Sequence, residues 1–369
     1  MKRSIKKIGI IGGGQLGMMM AEAAHKLGYK TIVLDPTPNC PCAQVSKNQI
    51  VANYDNLEKL EELCKESDVI TYEFENVPYT IIEQLKTKYN IPQGERPLYL
   101  SQDRLREKQA AIQAGAKVAK YQSVANKKEL ENALNELGYP AVLKTCSGGY
   151  DGKGQVVIRS HEQMNEACEL VKTTPCMLER FINFDMEISI VVTRGIRKGK
   201  GITTFPVTQN IHRNNILYMS IAPAPINKNL QNKVETLAKK ITRKMGIVGT
   251  LALEFFVKGN ELIFNEMAPR PHNSGHYTIE GCETSQFEQH IRAITGKPLG
   301  KTDLLQPTIM VNYLGQHVEG IAQMKRMKLP NTFIHDYGKA KALKDRKMGH
   351  VTFIEYEKNI LENIIKRYW

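Results

Sequence analysis

The chain has 369 residues, of which 41% are hydrophobic and 24% charged, and its 51 Lys and Arg against 38 Asp and Glu give a net charge of +13. That length corresponds to two or three domains, and the apolar content excludes disorder as the main state. No apolar run approaches the ~20 residues of a membrane helix, and 1–11 lacks the long apolar stretch of a signal peptide, so a cytoplasmic protein with no membrane role is expected.

The first hundred residues alternate in the βαβ manner. Strand 7–11, helix 15–27 ending at Gly28, strand 31–34 ending at Asp35, helix 57–64 and strand 68–74 follow in turn. This alternation predicts a doubly wound parallel sheet with helices on both faces. Ile91-Pro92-Gln93-Gly94 breaks the pattern, and a helix over 101–115, N-capped by Ser101, opens a region of different character. Helix 127–137, strand 141–145, a glycine-rich segment and strand 155–159 come next. Helix 161–172 leads to strands 176–182, 186–194, 202–207 and 217–221. Helix 230–245, strands 251–257 and 261–267 and helix 285–295 complete an α+β region. From Pro307 the pattern reads as short strands with turns, a small all-β piece.

Two glycine motifs stand out. Gly12-Gly13-Gly14-Gln15-Leu16-Gly17 carries G-x-G-x-x-G between a strand and a helix, where a phosphate can approach a helix N-terminus. Asp35 stands where a dinucleotide enzyme binds ribose hydroxyls. Alone, the pair suggests an NAD-dependent dehydrogenase; a tight turn with no cofactor, or a single phosphorylated ligand, is favoured over a dinucleotide. The segment 144–155, KTCSGGYDGKGQ, is sharper. It is not a P-loop, because Ser147 and Gly154 stand where that motif requires Gly and Ser or Thr. Lying between two strands, it predicts a hairpin lid whose backbone N–H groups close over phosphates, with Lys144 contacting a phosphate oxygen. Four glycines and two lysines in the eleven residues 144–154 exceed what a structural turn needs.

Strands 251–257 and 261–267 flank Lys258-Gly259-Asn260, a hairpin signal that sets Glu254 opposite Asn265 or Glu266 according to register. Two carboxylates on adjacent strands of an apolar core need a cation, and Mg²⁺ takes one or two carboxylates plus substrate phosphates. Ala268-Pro269-Arg270-Pro271-His272-Asn273-Ser274-Gly275-His276 follows, dense in anion-binding groups; Arg270 can hold a carboxylate-like anion bidentately. The seven cysteines show no zinc spacing and read as reduced structural thiols. The lysines are scattered in pairs such as Lys6-Lys7, which points to a solvated surface and no nucleic acid; 339–347 is the one concentrated basic run.

Lys144 with its lid, Glu179-Arg180-Phe181-Ile182, Glu187 and the pair Glu254 and Glu266 together resemble the ATP-grasp superfamily. More narrowly, the chain is similar nearly end to end to the N5-carboxyaminoimidazole ribonucleotide synthetase family of purine biosynthesis. That likeness rests on Gly14-Gln15-Leu16-Gly17, Tyr72-Glu73-Phe74-Glu75-Asn76, 148–155, 265–276, Thr284-Ser285-Gln286-Phe287-Glu288, Tyr337-Gly338-Lys339 and Arg346-Lys347-Met348-Gly349-His350. The resemblance implies a mixed α/β and α+β chain of three units: a doubly wound ribonucleotide-binding domain (1–100), two ATP-grasp lobes (101–306) and a small C-terminal β domain (307–369), usually in a homodimer.

The resemblance also implies a ligase. It would use ATP, Mg²⁺ and bicarbonate to carboxylate the amine of 5-aminoimidazole ribonucleotide through carboxyphosphate. Arg104 and Lys144 would contact the ATP phosphates under a lid of Gly149, Tyr150, Asp151, Gly152, Lys153, Gly154 and Gln155. Glu179, Arg180, Phe181 and Ile182 would hydrogen-bond adenine through their backbone, and Glu187 would accept the ribose hydroxyls. His212 and Asn265 join the nucleotide site, and Glu254 and Glu266 would hold Mg²⁺. Gln15, Leu16, Glu75, Asn273 and Ser274 would face the ribonucleotide, with Lys339, Arg346 and Lys347 on its 5′-phosphate. Arg270 would hold the carboxyphosphate, and Tyr150, Asp151 and His272 are the candidates for the amine proton. The nearest rival is a formate-dependent glycinamide ribonucleotide ligase of the same superfamily.

Overall fold

A computed structural model describes residues 5–149, 154–196 and 201–369 and contains three sheets. The first is parallel, with strands Gln49–Val51, Lys30–Asp35, Lys7–Ile11 and Val69–Tyr72 in that spatial order. Alternation sends Ile8 and Ile10 to one face, against helix Gln15–Lys26, and Ile11 to the other, with Leu60 and Leu63 of helix Leu57–Lys65. Burial on both faces is what a parallel sheet requires.

The second sheet is small and antiparallel, ordered Tyr121–Val124, Cys176–Arg180, Ala141–Thr145, Gln155–Ile158. Helices Lys127–Leu137 and Met164–Thr173 cover one face. The third sheet is long. Its centre is Met186–Arg194 beside Gly249–Lys258, which in turn pairs with Glu261–Ala268. Ile188, Ile190 and Val192, with Leu251, Leu253 and Phe255, pack under helix Lys228–Lys244. With a side-chain period of two, Glu187, Ser189 and Glu254 therefore face the opposite side. Helix Gln286–Thr295 joins the parallel domain to this sheet, placing Phe287, Ile291 and Ile294 in the same cluster as Ile8 and Ile10.

Several expectations change. The helix read over 101–115 is Arg104–Gln113; Ser101 is the last residue of a preceding helix, Arg96–Ser101, and the N-cap is Asp103, whose carboxylate accepts the Arg106 N–H at 2.9 Å. A carboxylate at that position satisfies an otherwise orphaned donor and starts a new helix. Strand Thr208–Arg213 was not expected, since its sequence TQNIHR lacks apolar alternation; pairing on both sides holds it. The C-terminal tail holds three strands and also two helices, Val318–Met327 and Lys358–Tyr368, that an all-β reading lacks. Its strand Thr308–Leu314 pairs with Ile216–Ala222, so the tail extends the long sheet. Among the described residues, no helix is long and apolar enough to cross a membrane.

Candidate active site

The acidic hairpin closes at Lys258 opposite Glu261, across Gly259, whose φ of +56° suits glycine. Regular pairing from that turn would set Glu254 opposite Asn265. A β-bulge at Asn265 shifts the register by one, and Glu254 faces Glu266. Glu254 also lies opposite Ser189, two residues from Glu187 on the same face. Burial first, then Glu187 and Glu266, push the Glu254 carboxyl well above its ordinary range. Burial also opposes ionisation of Glu266, but Arg104 and Lys144 outweigh it and hold that carboxyl low. The Arg104 Nη1 is 3.2 Å from Glu266 Oε2. His272 Nδ1 stands 3.6 Å from Glu254 Oε1, and His212 Nδ1 3.2 Å from Glu187 Oε2. Glu254 and Glu266, paired on adjacent strands with Glu187 on a third, offer carboxylate oxygens of the kind a hard divalent cation takes, although among the described residues no three His, Cys, Asp or Glu side chains cluster closely enough to hold a metal ion.

Lys144, next to the last residue of strand Ala141–Thr145, pairs with Gln155, and the Thr145 N–H donates to the Gly154 carbonyl at 2.8 Å, joining the two ends of the glycine-rich segment. Gly149 and Gly154 are described; Tyr150, Asp151, Gly152 and Lys153 lie outside the described residues. Glu179 is only 4% exposed, and one of its carboxylate oxygens binds Lys144 while the other lies 3.0 Å from Lys108 Nζ. Its side chain is thus a buried ionic junction as well as part of the segment assigned to adenine. The Arg180 and Phe181 N–H groups donate to the Lys120 and Pro140 carbonyls at 2.9 and 3.1 Å. Both of these donors are therefore committed within the protein.

Gln15 and Leu16 open the helix after the first glycine turn. The N–H groups of that turn are satisfied internally: Gly13 donates to Asp35 at 2.7 Å, and Gly14 and Gly17 to Glu73 at 2.6 and 2.5 Å. Asp35 also accepts the Tyr54 hydroxyl at 2.5 Å. The turn and Asp35 are thus occupied by each other and by Glu73, which removes the geometric basis of the dinucleotide reading.

Glu75 and Arg270, assigned to different ligands, meet each other. The Arg270 guanidinium grips both Glu75 oxygens, with Nη2 2.9 Å from Oε1. Gln286 pins the loop beyond Arg270 by accepting the His272 N–H at 2.9 Å and donating to the His272 carbonyl at 2.7 Å. Ser274 is fully buried and its hydroxyl holds His272 Nδ1 at 2.9 Å. Both amide atoms of Asn273, and Asn265 Oδ1, are buried without a hydrogen-bond partner among the described residues. At the C-terminal edge, Lys339 Nζ donates to the Lys347 carbonyl at 2.8 Å and Arg346 Nη1 to the Lys341 carbonyl at 3.1 Å. Gln44 of the parallel domain donates to the Gly338 carbonyl at 3.0 Å, which docks this basic run on the first domain. The Lys347 charge acts on both Glu254 and His272.

Residues that sequence reasoning missed are Glu73, Glu107 and Lys108. Arg104, Glu107 and Lys108 share one helix face at i, i+3 and i+4, the signal that could have found the last two.

Residues 5–102 match the ribonucleotide synthetase preATP-grasp domain, 109–287 the ATP-grasp domain and 308–363 the phosphoribosylaminoimidazole carboxylase C-terminal domain. The N5-carboxyaminoimidazole ribonucleotide synthase of Bacillus subtilis (strain 168) is 50% identical over 349 residues, 94% of this chain and 91% of that protein. Among solved structures, N5-carboxyaminoimidazole synthetase from Staphylococcus aureus complexed with ADP superposes with a TM-score of 0.94 at 43% identity, covering 100% of this chain and 98% of that one. The synthase from Aspergillus clavatus, in complex with ADP and 5-aminoimidazole ribonucleotide, gives 0.90 at 30% identity, covering 99% and 98%. The chain belongs to the N5-carboxyaminoimidazole ribonucleotide synthase family of ATP-grasp enzymes.

Proposed function

We propose that the chain uses ATP and bicarbonate to carboxylate the exocyclic amine of 5-aminoimidazole ribonucleotide, releasing ADP and phosphate. The observation that carries this reading is the juxtaposition of Glu254 and Glu266 with Lys144 and Arg104 beside the base of a glycine lid. Glu254 and Glu266 would hold Mg²⁺, which supplies charge neutralisation on the transferring phosphoryl group. Asn265, placed by the bulge, and His212 with Glu187 face the nucleotide.

Bicarbonate oxygen attacks the γ-phosphoryl of ATP, giving carboxyphosphate and ADP. Lys144, Arg104 and the amides of 149–155 stabilise the charge that builds on the phosphoryl oxygens, the dominant contribution in phosphoryl transfer. Ile182 and the carbonyls of 179–181 would recognise adenine. Glu75 orients Arg270, whose guanidinium would hold the carboxyphosphate, and the unpartnered Asn273 amide would meet the reacting amine. Lys339, Arg346 and Lys347 would take the 5′-phosphate, with Gln15 and Leu16 along the ribonucleotide and Ser274 bracing His272. Burial first, then Arg270 and Lys347, hold His272 well below its ordinary range, so it is a poor proton acceptor. That argues for Tyr150 or Asp151. Closure of such a lid would exclude water that hydrolyses the intermediate.

With a division into 1–100, 101–306 and 307–369, the ribonucleotide would lie between the first and last units and ATP between the central lobes. A homodimer is the expected assembly, and sedimentation of the purified chain checks it. The central test is coupled ADP release with each amine and each one-carbon acid in turn. Release dependent on both bicarbonate and 5-aminoimidazole ribonucleotide is expected; release with formate and glycinamide ribonucleotide instead transfers the chain to the rival ligase.

A further inference from the structure

We infer that Lys108 is a positioning residue for nucleotide binding: it holds one oxygen of the Glu179 carboxylate so that Lys144, on the other oxygen, is free to reach a phosphate. This deepens the ATP-grasp reading above and rests on it. Helix Arg104–Gln113 presents Arg104, Glu107 and Lys108 on one face. Arg104 Nη1 reaches Glu266 at 3.2 Å, Glu107 accepts the Met267 N–H at 2.5 Å, and Lys108 Nζ reaches Glu179 Oε2 at 3.0 Å. The first two contacts fix the helix to the long sheet. Glu179 and Lys144 belong to the small sheet. The Lys108–Glu179 pair therefore bridges the two sheets, with Lys108 only 2% exposed.

Burial pushes the Glu179 carboxyl up, but Lys144 and Lys108 outweigh burial and leave it at about 2, fully ionised. A buried carboxylate stripped of its partner is costly. With Lys144 as its sole counter-ion, an arriving phosphate would compete with Glu179 for one ammonium group. Lys108 removes that competition, because Glu179 stays paired while Lys144 turns N–H donors toward the nucleotide.

The test is direct titration of the full chain with ADP and Mg²⁺, for the native protein, Lys108→Met, Glu179→Gln and the double variant. Lys108→Met should weaken ADP binding by at least about tenfold, because Lys144 is then the sole counter-ion of a buried carboxylate. The double variant should bind more tightly than Lys108→Met and within about threefold of Glu179→Gln, because without the carboxylate charge Lys108 has nothing to hold. A lysine with a merely structural role would make the double variant the weakest of the set. Native-like binding by Lys108→Met, or a double variant tenfold weaker than Glu179→Gln, overturns the assignment. If Lys108→Met does not fold, the comparison of Glu179→Gln with the double variant decides alone. A native protein that fails to bind ADP overturns the nucleotide reading and this assignment together, whereas native binding unchanged in Lys108→Met overturns only the role of Lys108.

Discussion

Glu73 does at the first glycine turn what a phosphate does in a dinucleotide fold. Its two oxygens take the Gly14 and Gly17 N–H groups at the head of helix Gln15–Lys26, where the helix dipole favours negative charge. The motif alone reads as a ligand site, and one side chain 56 residues away in sequence changes its meaning. Glu266 shows the reverse: it points into the site and is shared between Arg104 and the acidic pair. Glu266→Gln keeps size and hydrogen bonding but removes one charge from the proposed cation site. Turnover should fall by on the order of 10²–10³-fold, the range seen when a charge-stabilising group is lost, while the unfolding temperature stays near native. Near-normal ADP release by the folded variant would sink the metal role.

At the scale of elements, the hairpin Gly249–Lys258 and Glu261–Ala268 depends on one extra residue. The bulge at Asn265 turns the Glu254–Asn265 pairing of a regular hairpin into Glu254–Glu266, and the Glu107 carboxyl receives the Met267 N–H just beyond it. Burial, then repulsion from Glu266, raises Glu107 to about 8. Because the folded-state value lies above the unfolded one, the folded chain binds the extra proton between them. Its contribution to stability is full below about 4.5 and is lost as pH rises toward 8. Glu107→Gln still accepts the Met267 N–H and cannot ionise. Without divalent cation, its unfolding temperature should therefore gain on the native protein through pH 5–8 and hold a constant lead above. A lead that does not change with pH refutes this account.

Across the whole molecule, His290 is a buried polar pin between the parallel domain and the long sheet. Its Nε2 meets the Thr71 hydroxyl at 2.8 Å and its Nδ1 accepts the Thr250 N–H at 3.1 Å. Burial lowers it to about 3. A histidine depressed on folding stabilises above its unfolded value near 6.5 and loses that contribution as pH falls toward 3. The stability gap between native protein and His290→Gln, read from urea midpoints, should shrink below pH 6.5 by about 1.4 kcal/mol per pH unit. A gap constant from pH 7 to 5 removes His290 as the acid-sensitive pin.

The sequence by itself determined the βαβ start and the paired strands around Gly259, because each is a local pattern of period, turn chemistry or spacing. It also determined the family, through motifs that no single element carries. Only the tertiary structure decided that Glu254 faces Glu266, since a bulge is a one-residue choice that turn geometry leaves open. Tertiary structure likewise set Glu73 into the glycine turn, Glu75 against Arg270 and Lys108 against Glu179. Those contacts join residues 56, 195 and 71 positions apart. Local periodicity carries no information at such separations, and the low-dielectric interior makes each buried charge seek its partner wherever the fold brings one.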